Sequence, residues 1–207
     1  MSNKNIDTQD GYLAICLKRL KTWQFWRAMI VCFCAFSVVG HLLEWVYCFN
    51  GVTFFNSMDP DAEVLTNPFK PFFVYGIGMV ICATLLDPVK WWMLSRFKSR
   101  KTALLAFYIM SVFLGMAGEL IQGFLQNQPV NGVYPLWDVS IYPGNILGQA
   151  WIVNDIFIGA VITIAVWLIY PAISKRIGRL PDKRANIQCA IILALFLLLV
   201  AVTYGFI

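Results

Sequence analysis

Residues 175–207 read KRIGRLPDKRANIQCAIILALFLLLVAVTYGFI. Five basic residues stand in the first ten positions, and no charged residue follows Ile187. Twenty apolar residues at about 1.5 Å rise each match the roughly 30 Å hydrocarbon core of a bilayer. A helix that is apolar all round has no face to offer water. This stretch therefore predicts a membrane-spanning helix over 187–206 with a basic flank at one end.

Four similar apolar segments precede it, at about 24–49, 70–87, 102–126 and 146–171. The expected fold class is all-α: a polytopic transmembrane bundle of five spans. Composition agrees, with 59% hydrophobic and 13% charged residues. A soluble domain carries about 45–50% apolar residues, so lipid must be part of the solvent. The second span is the shortest and is expected to stop at Asp87, with Asp87 as a cap. Pro88 would then open an interfacial helix carrying Trp91 and Trp92 at headgroup level. A single long helix kinked at Pro88 is the alternative.

Orientation follows from the sixteen Lys and Arg residues. Lys4, Lys18, Arg19, Lys21 and Arg27 precede or enter the first span. Lys90, Arg96, Lys98, Arg100 and Lys101 follow the second. Lys175, Arg176, Arg179, Lys183 and Arg184 follow the fourth. Lys70 alone falls on the other side. The positive-inside rule then puts the amino terminus in the cytoplasm and the carboxyl terminus outside, in a bacterial cytoplasmic membrane. The net charge of +5 is accounted for by topology and anionic lipid, and no nucleic-acid partner is expected.

Residues 1–23 form a basic segment too polar for a cleaved signal peptide. Leu13, Cys16, Leu17 and Leu20 repeat at helical spacing there, as in an interfacial amphipathic helix; a basic stop signal without fixed structure is the alternative. The six cysteines avoid the outer loops, so we expect small apolar residues rather than disulfides. Cys32 and Cys34, two apart, face different ways, so no metal is expected. No cofactor is expected either.

Chemistry is sought where ionisable residues enter lipid. His41 and Glu44 lie three apart and share a helix face. Ser111, Gly115, Gly118, Glu119 and Gln122 form a small polar stripe on the third span. Gly148, Trp151, Asp155 and Gly159 form another on the fourth, with Asn154 beside it. Counting from the outer ends, Glu44, Glu119, Asp155 and His41 lie roughly 8, 10, 14 and 12 Å deep. Carboxylates from three helices thus reach one layer. Close together in a low dielectric they cannot all stay ionised, so protons or a cationic ligand must balance them.

Several motifs surround this layer: Gly40-His41-Leu42-Leu43-Glu44; Asn67-Pro68-Phe69-Lys70-Pro71-Phe72-Phe73-Val74-Tyr75-Gly76-Ile77-Gly78; Glu119-Leu120; Trp137-Asp138-Val139-Ser140; and Asn145-Ile146-Leu147-Gly148. Their order resembles the CmpB family of ABC-transporter permeases over about residues 37–170. The family patterns are G-W-x-x-E, G-P-x-x-P-I-Y-G-x-G and W-D-Y-S then N-x-x-G. His41, Phe73 and Val139 depart from them, standing for Trp, Ile and Tyr. The resemblance marks Glu44, Tyr75, Glu119, Trp137, Asp138 and Asn145 as motif positions. It also implies a permease whose ATPase is a separate chain at the basic inner loops, since the sequence contains no G-x-x-x-x-G-K-[ST].

Asn145 is expected to cap the fourth span. The candidate ligand-binding set is His41, Glu44, Tyr75, Glu119, Gln122, Trp137, Asp138, Asn145, Asn154 and Asp155. The reading is a transporter- or permease-like, or ligand- and lipid-binding, membrane protein with an outward-facing polar site. The rivals are an intramembrane enzyme using Glu44, Glu119 and His41 as acid–base groups, and a structural or regulatory subunit.

Overall fold

The computed structural model describes residues 17–50, 63–130, 132, 134, 135 and 137–206. Five helices in it are long and apolar enough to cross a membrane. In chain order the elements are α1 (Trp23–Asn50), the short α2 (Glu63–Thr66), α3 (Phe73–Arg96), α4 (Arg100–Gln126), strands β1 (Asn145–Ile146) and β2 (Ala150–Trp151), α5 (Ile152–Gly178) and α6 (Asp182–Thr203). The chain divides into two units, one of residues up to Pro88 with Ile169–Ile207, the other of Val89–Leu168.

The second span departs from its expected limit. α3 runs unbroken through Pro88 to Arg96, so the single-helix alternative is the one adopted. Proline removes one backbone bond, which membrane helices tolerate when other groups compensate. Asp87 therefore caps nothing; its carboxylate meets Arg19 at 2.6 Å. Of the amino-terminal helix, residues 17–20 are helical, while Leu13 and Cys16 lie outside the described residues.

In the first unit α1 packs against α2, the end of α5, and α6. Thr22 starts α1 by accepting from the Phe25 amide at 3.3 Å. Small residues let α3 cross α1 closely: a Cβ on Gly76 would lie 2.7 Å from the Phe33 carbonyl oxygen, and one on Gly40 would strike the Tyr75 ring. Beside this crossing Phe33 stacks on Phe73 and meets Phe196 edge-on, with centroids 6.2 and 5.6 Å apart. At the base, buried Arg27 bonds Asp182 at 2.6 Å and Asn186 at 2.8 Å, which ties α1 to the start of α6.

In the second unit α4 and α5 form one seam. Ser99 caps α4, its hydroxyl accepting from the Lys101 amide at 3.2 Å. The seam is built on small residues, with Gly115 facing Ile158 and Gly159 facing Val112, as membrane helices pack. α5 carries a π-helical stretch, Ala165–Ile169. There each carbonyl looks five residues ahead, and from Val166 that residue is Pro171, which has no N–H. The Lys90 ammonium supplies the donor instead, 3.1 Å from the Val166 oxygen.

The fourth span also begins later than expected. Residues 145–151 form a β-hairpin, Asn145 pairing with Trp151 and Ile146 with Ala150, and the helix starts at Ile152. Asn145 accordingly does not cap it. Its side chain donates to Ser140 and Tyr142 carbonyls and accepts from the Gly148 amide at 3.1 Å. At the hairpin tip Leu147 and Gly148 have φ of 55° and 67°, and the Gln149 amide closes the turn on the Ile146 oxygen at 3.0 Å. Two left-handed residues in succession are the central pair of a type I′ turn over 146–149.

Candidate functional site

The candidate residues fall into both units. In the first unit His41 is fully buried on α1. Its ring stacks face to face on Phe72, centroids 3.8 Å apart and planes 10° apart. Its Nε2 lies 3.2 Å from the Val64 carbonyl oxygen. A carbonyl only accepts, so the ring carries a proton on Nε2. No protein group meets Nδ1, nor the buried Oε2 of Glu44 one turn later. Tyr75 bonds the Glu44 carboxylate, and His41 is within its electrostatic reach. His41, Glu44 and Tyr75 thus form one group.

Two residues that the sequence reading passed over complete this group. Trp45 donates from its indole to the Leu65 oxygen at 3.2 Å, beside the His41 bond, so two side chains of α1 hold the short α2. Phe72 supplies the stacking ring, placed by its amide bond of 2.8 Å to the Ser37 oxygen. The signal for Trp45 was its place beside Glu44 on an otherwise apolar helix, but its partner is a backbone carbonyl, which no motif advertises. A tryptophan at 41 would carry a donor and no lone pair. The histidine adds a second ring nitrogen, Nδ1, to the cluster.

In the second unit Glu119 of α4 and Asp155 of α5 bring their carboxyl groups together. Glu119 also receives the Trp151 backbone N–H and the Asn154 side-chain amide. Because no side chain caps α5 from Trp151, Glu119 from the neighbouring helix does that work, where the helix dipole favours an anion. Asp155 is wholly buried; its carboxyl oxygens face the Glu119 carboxyl group and meet no N–H or hydroxyl donor. Gln122 is exposed and makes none of these bonds.

The remaining candidates build the loop outside this pair. Asn127 and Gln149, both buried, exchange bonds: Asn127 Nδ2 donates to Gln149 Oε1 at 3.0 Å, and Gln149 Nε2 to the Asn127 carbonyl at 2.9 Å. Trp137 donates to the Gln149 carbonyl at 2.9 Å and accepts from Asn127 on its own carbonyl at 2.6 Å. Asp138 is exposed. The Ser140 hydroxyl and amide hold its carboxyl below the usual carboxylate range. Trp137, Asp138 and Asn145 therefore all serve the loop's own architecture. Sequence reasoning missed Asn127 and Gln149, whose buried amides tie the end of α4 to the hairpin. Among the described residues no three His, Cys, Asp or Glu side chains gather as a metal set.

Five spans, a paired carboxyl group between α4 and α5, and the W-D loop above it set the frame for comparison. The model of the family described as "Putative ABC-transporter type IV", the CmpB family, matches residues 31–204. The chain belongs to that family. The match extends past the 37–170 of the motif resemblance and takes in α6. That helix is integrated into the first unit, the Tyr204 hydroxyl donating to the Pro71 carbonyl at 2.8 Å. No curated protein and no solved structure matches the chain. It is accordingly a transmembrane protein of an ABC-transporter-type family.

Proposed function

We propose that this chain is a permease-type subunit of the bacterial cytoplasmic membrane that holds a cationic or hydrogen-bond-donating ligand. The amino terminus would lie inside, and a separate ATPase chain would dock on the basic inner loops. The observation that carries the reading is Asp155: a fully buried carboxyl group set against that of Glu119, with no N–H or hydroxyl donor from the protein. Two adjacent acids at membrane depth need a shared proton or a cation between them. The His41–Glu44 group in the first unit also holds two buried atoms, His41 Nδ1 and Glu44 Oε2, that no protein group meets. Each group keeps buried polar atoms that no N–H or hydroxyl of the protein meets, so a ligand there would bring donors or positive charge.

A structural reading has one observation in its favour, the bonds by which Glu119 caps α5. The test separates the two. Purified full-length protein is melted in sodium, potassium, ammonium and ethylammonium chloride at constant ionic strength. Under the ligand reading at least one cation raises the melting temperature of the wild type, and Asp155→Asn abolishes that rise. If no cation acts, and Asp155→Asn and Glu119→Gln support the same activity and stability as the wild type, the carboxyl groups only join helices.

A further inference from the structure

A groove runs between α4 and α5 on the side of α4's first turns. It is lined by Lys101, Leu104, Leu105, Tyr108, Ala160 and Thr163, with Ile164 at its edge, and encloses about 360 Å³. Its floor is apolar because its hydroxyls are already engaged: Tyr108 donates to the Ile156 carbonyl at 3.3 Å and Thr163 to the Gly159 carbonyl at 2.7 Å. From Lys101 to Tyr108 the helix rises about 10 Å, so the groove follows the membrane normal over the upper part of one leaflet. Leu105 and Ile164 stay open to the surroundings.

The mouth of the groove is basic. Arg96, Lys98, Arg100 and Lys101 are all exposed, and none is among the ion pairs of the described residues. No Asp or Glu occurs between Val89 and Gly118. Exposed Trp91 and Trp92 precede this cluster on α3 and mark headgroup level. Hydrocarbon below and uncompensated positive charge above describe one amphiphile, an anionic phospholipid. A zwitterionic lipid would bring its own cation to the same mouth.

We propose that this groove seats one anionic phospholipid, an acyl chain lying along α4 and α5 and the phosphate held by Lys101 and Arg100. The seat lies at the opposite end of α4 from Glu119, so it is distinct from the ligand site above and does not depend on it.

Native mass spectrometry of the full-length protein, titrated with phosphatidylglycerol or phosphatidylcholine, tests the seat. One phosphatidylglycerol should be retained in preference to phosphatidylcholine. Lys101→Gln, at an exposed position where folding is not at stake, should weaken phosphatidylglycerol about fivefold, the ratio for about 1 kcal/mol per basic residue. It should leave phosphatidylcholine unchanged. Ala160→Phe should fill the groove and expel the lipid, and its melting temperature reports whether it folds. The proposal is overturned if both lipids bind alike, if Lys101→Gln changes neither, if folded Ala160→Phe keeps its lipid, or if glycerol phosphate competes as well as the whole lipid.

Discussion

Arg19 places a guanidinium nitrogen 2.6 Å from the carboxylate of Asp87, 68 residues away in sequence. Its other terminal nitrogen donates to the Tyr170 hydroxyl at 2.6 Å, and the same ring lies 5.5 Å below the guanidinium carbon. One basic residue of the amino-terminal segment thus ties α3 to the end of α5 within the first unit. Asp87 is 3% exposed, so the carboxylate depends on such partners.

The pair should show coupling in a double-mutant cycle. Arg19→Gln and Asp87→Asn, singly and together, are expected to give an interaction energy of about 1–3 kcal/mol. Arg19→Gln alone should cost more than the double variant costs beyond Asp87→Asn, because it removes the cation from a buried anion. Chemical or thermal unfolding in detergent measures this. A coupling inside about 0.5 kcal/mol would mean that the Arg19–Asp87 pair contributes nothing measurable to the fold.

Leu147 stands at the hairpin tip with φ 55° and a side chain 63% exposed. A leucine gains little packing there while paying roughly 1–2 kcal/mol for its left-handed backbone. Leu147→Asn and Leu147→Gly should therefore raise the melting temperature by a few degrees. Leu147→Ala, which keeps the Cβ and the strain, should not. Equal melting temperatures for all four proteins would show that the turn is not strained.

Asp138 carries a pH dependence of the 137–145 loop. Its folded value is lowered by Ser140, so its contribution is fully present above the ordinary aspartate range. That contribution is lost as pH falls through the lowered value. Protection of the Ser140 amide, which donates to Asp138 Oδ1 at 2.9 Å, should follow this course in hydrogen exchange corrected for intrinsic rates. Asp138→Asn should flatten the profile. A wild-type profile that is already flat would show that the bond does not order the loop.

Orientation can be read by cysteine labelling in a cysteine-free background. Single cysteines in 127–145 should react with an impermeant thiol reagent added outside, and those in 94–101 and 173–186 should not. The ground is the distribution of Lys and Arg residues about the spans. The inverse pattern would reverse the proposed topology and move the ATPase-facing side to the other end of the bundle.

Part of the site was legible as spacing. His41 and Glu44, three apart, and Glu119 with Asn154 and Asp155 could be singled out because polar residues in apolar spans need a reason to be there. What each of them meets was not legible. Asn145 looked like the cap of α5, yet residues 145–151 turn into a hairpin and the cap comes from Glu119, 33 positions before Ile152. A capping bond from a neighbouring helix leaves no periodic trace.

Hydrophobic length and the placement of charge by themselves determined five helices, because unbonded backbone in lipid is too costly for any other open structure. They also determined which apolar spans carry acidic residues. Tertiary structure alone decided that α3 continues through Pro88 and that Lys90 serves the Val166 carbonyl. It also decided that Asp155 lies against Glu119 while Trp137 and Asn145 brace a loop. These outcomes depend on which carbonyl, amide or carboxyl group a neighbouring segment presents within about 3 Å. Local sequence sets which groups a residue offers; the packing of distant segments sets which of them are answered.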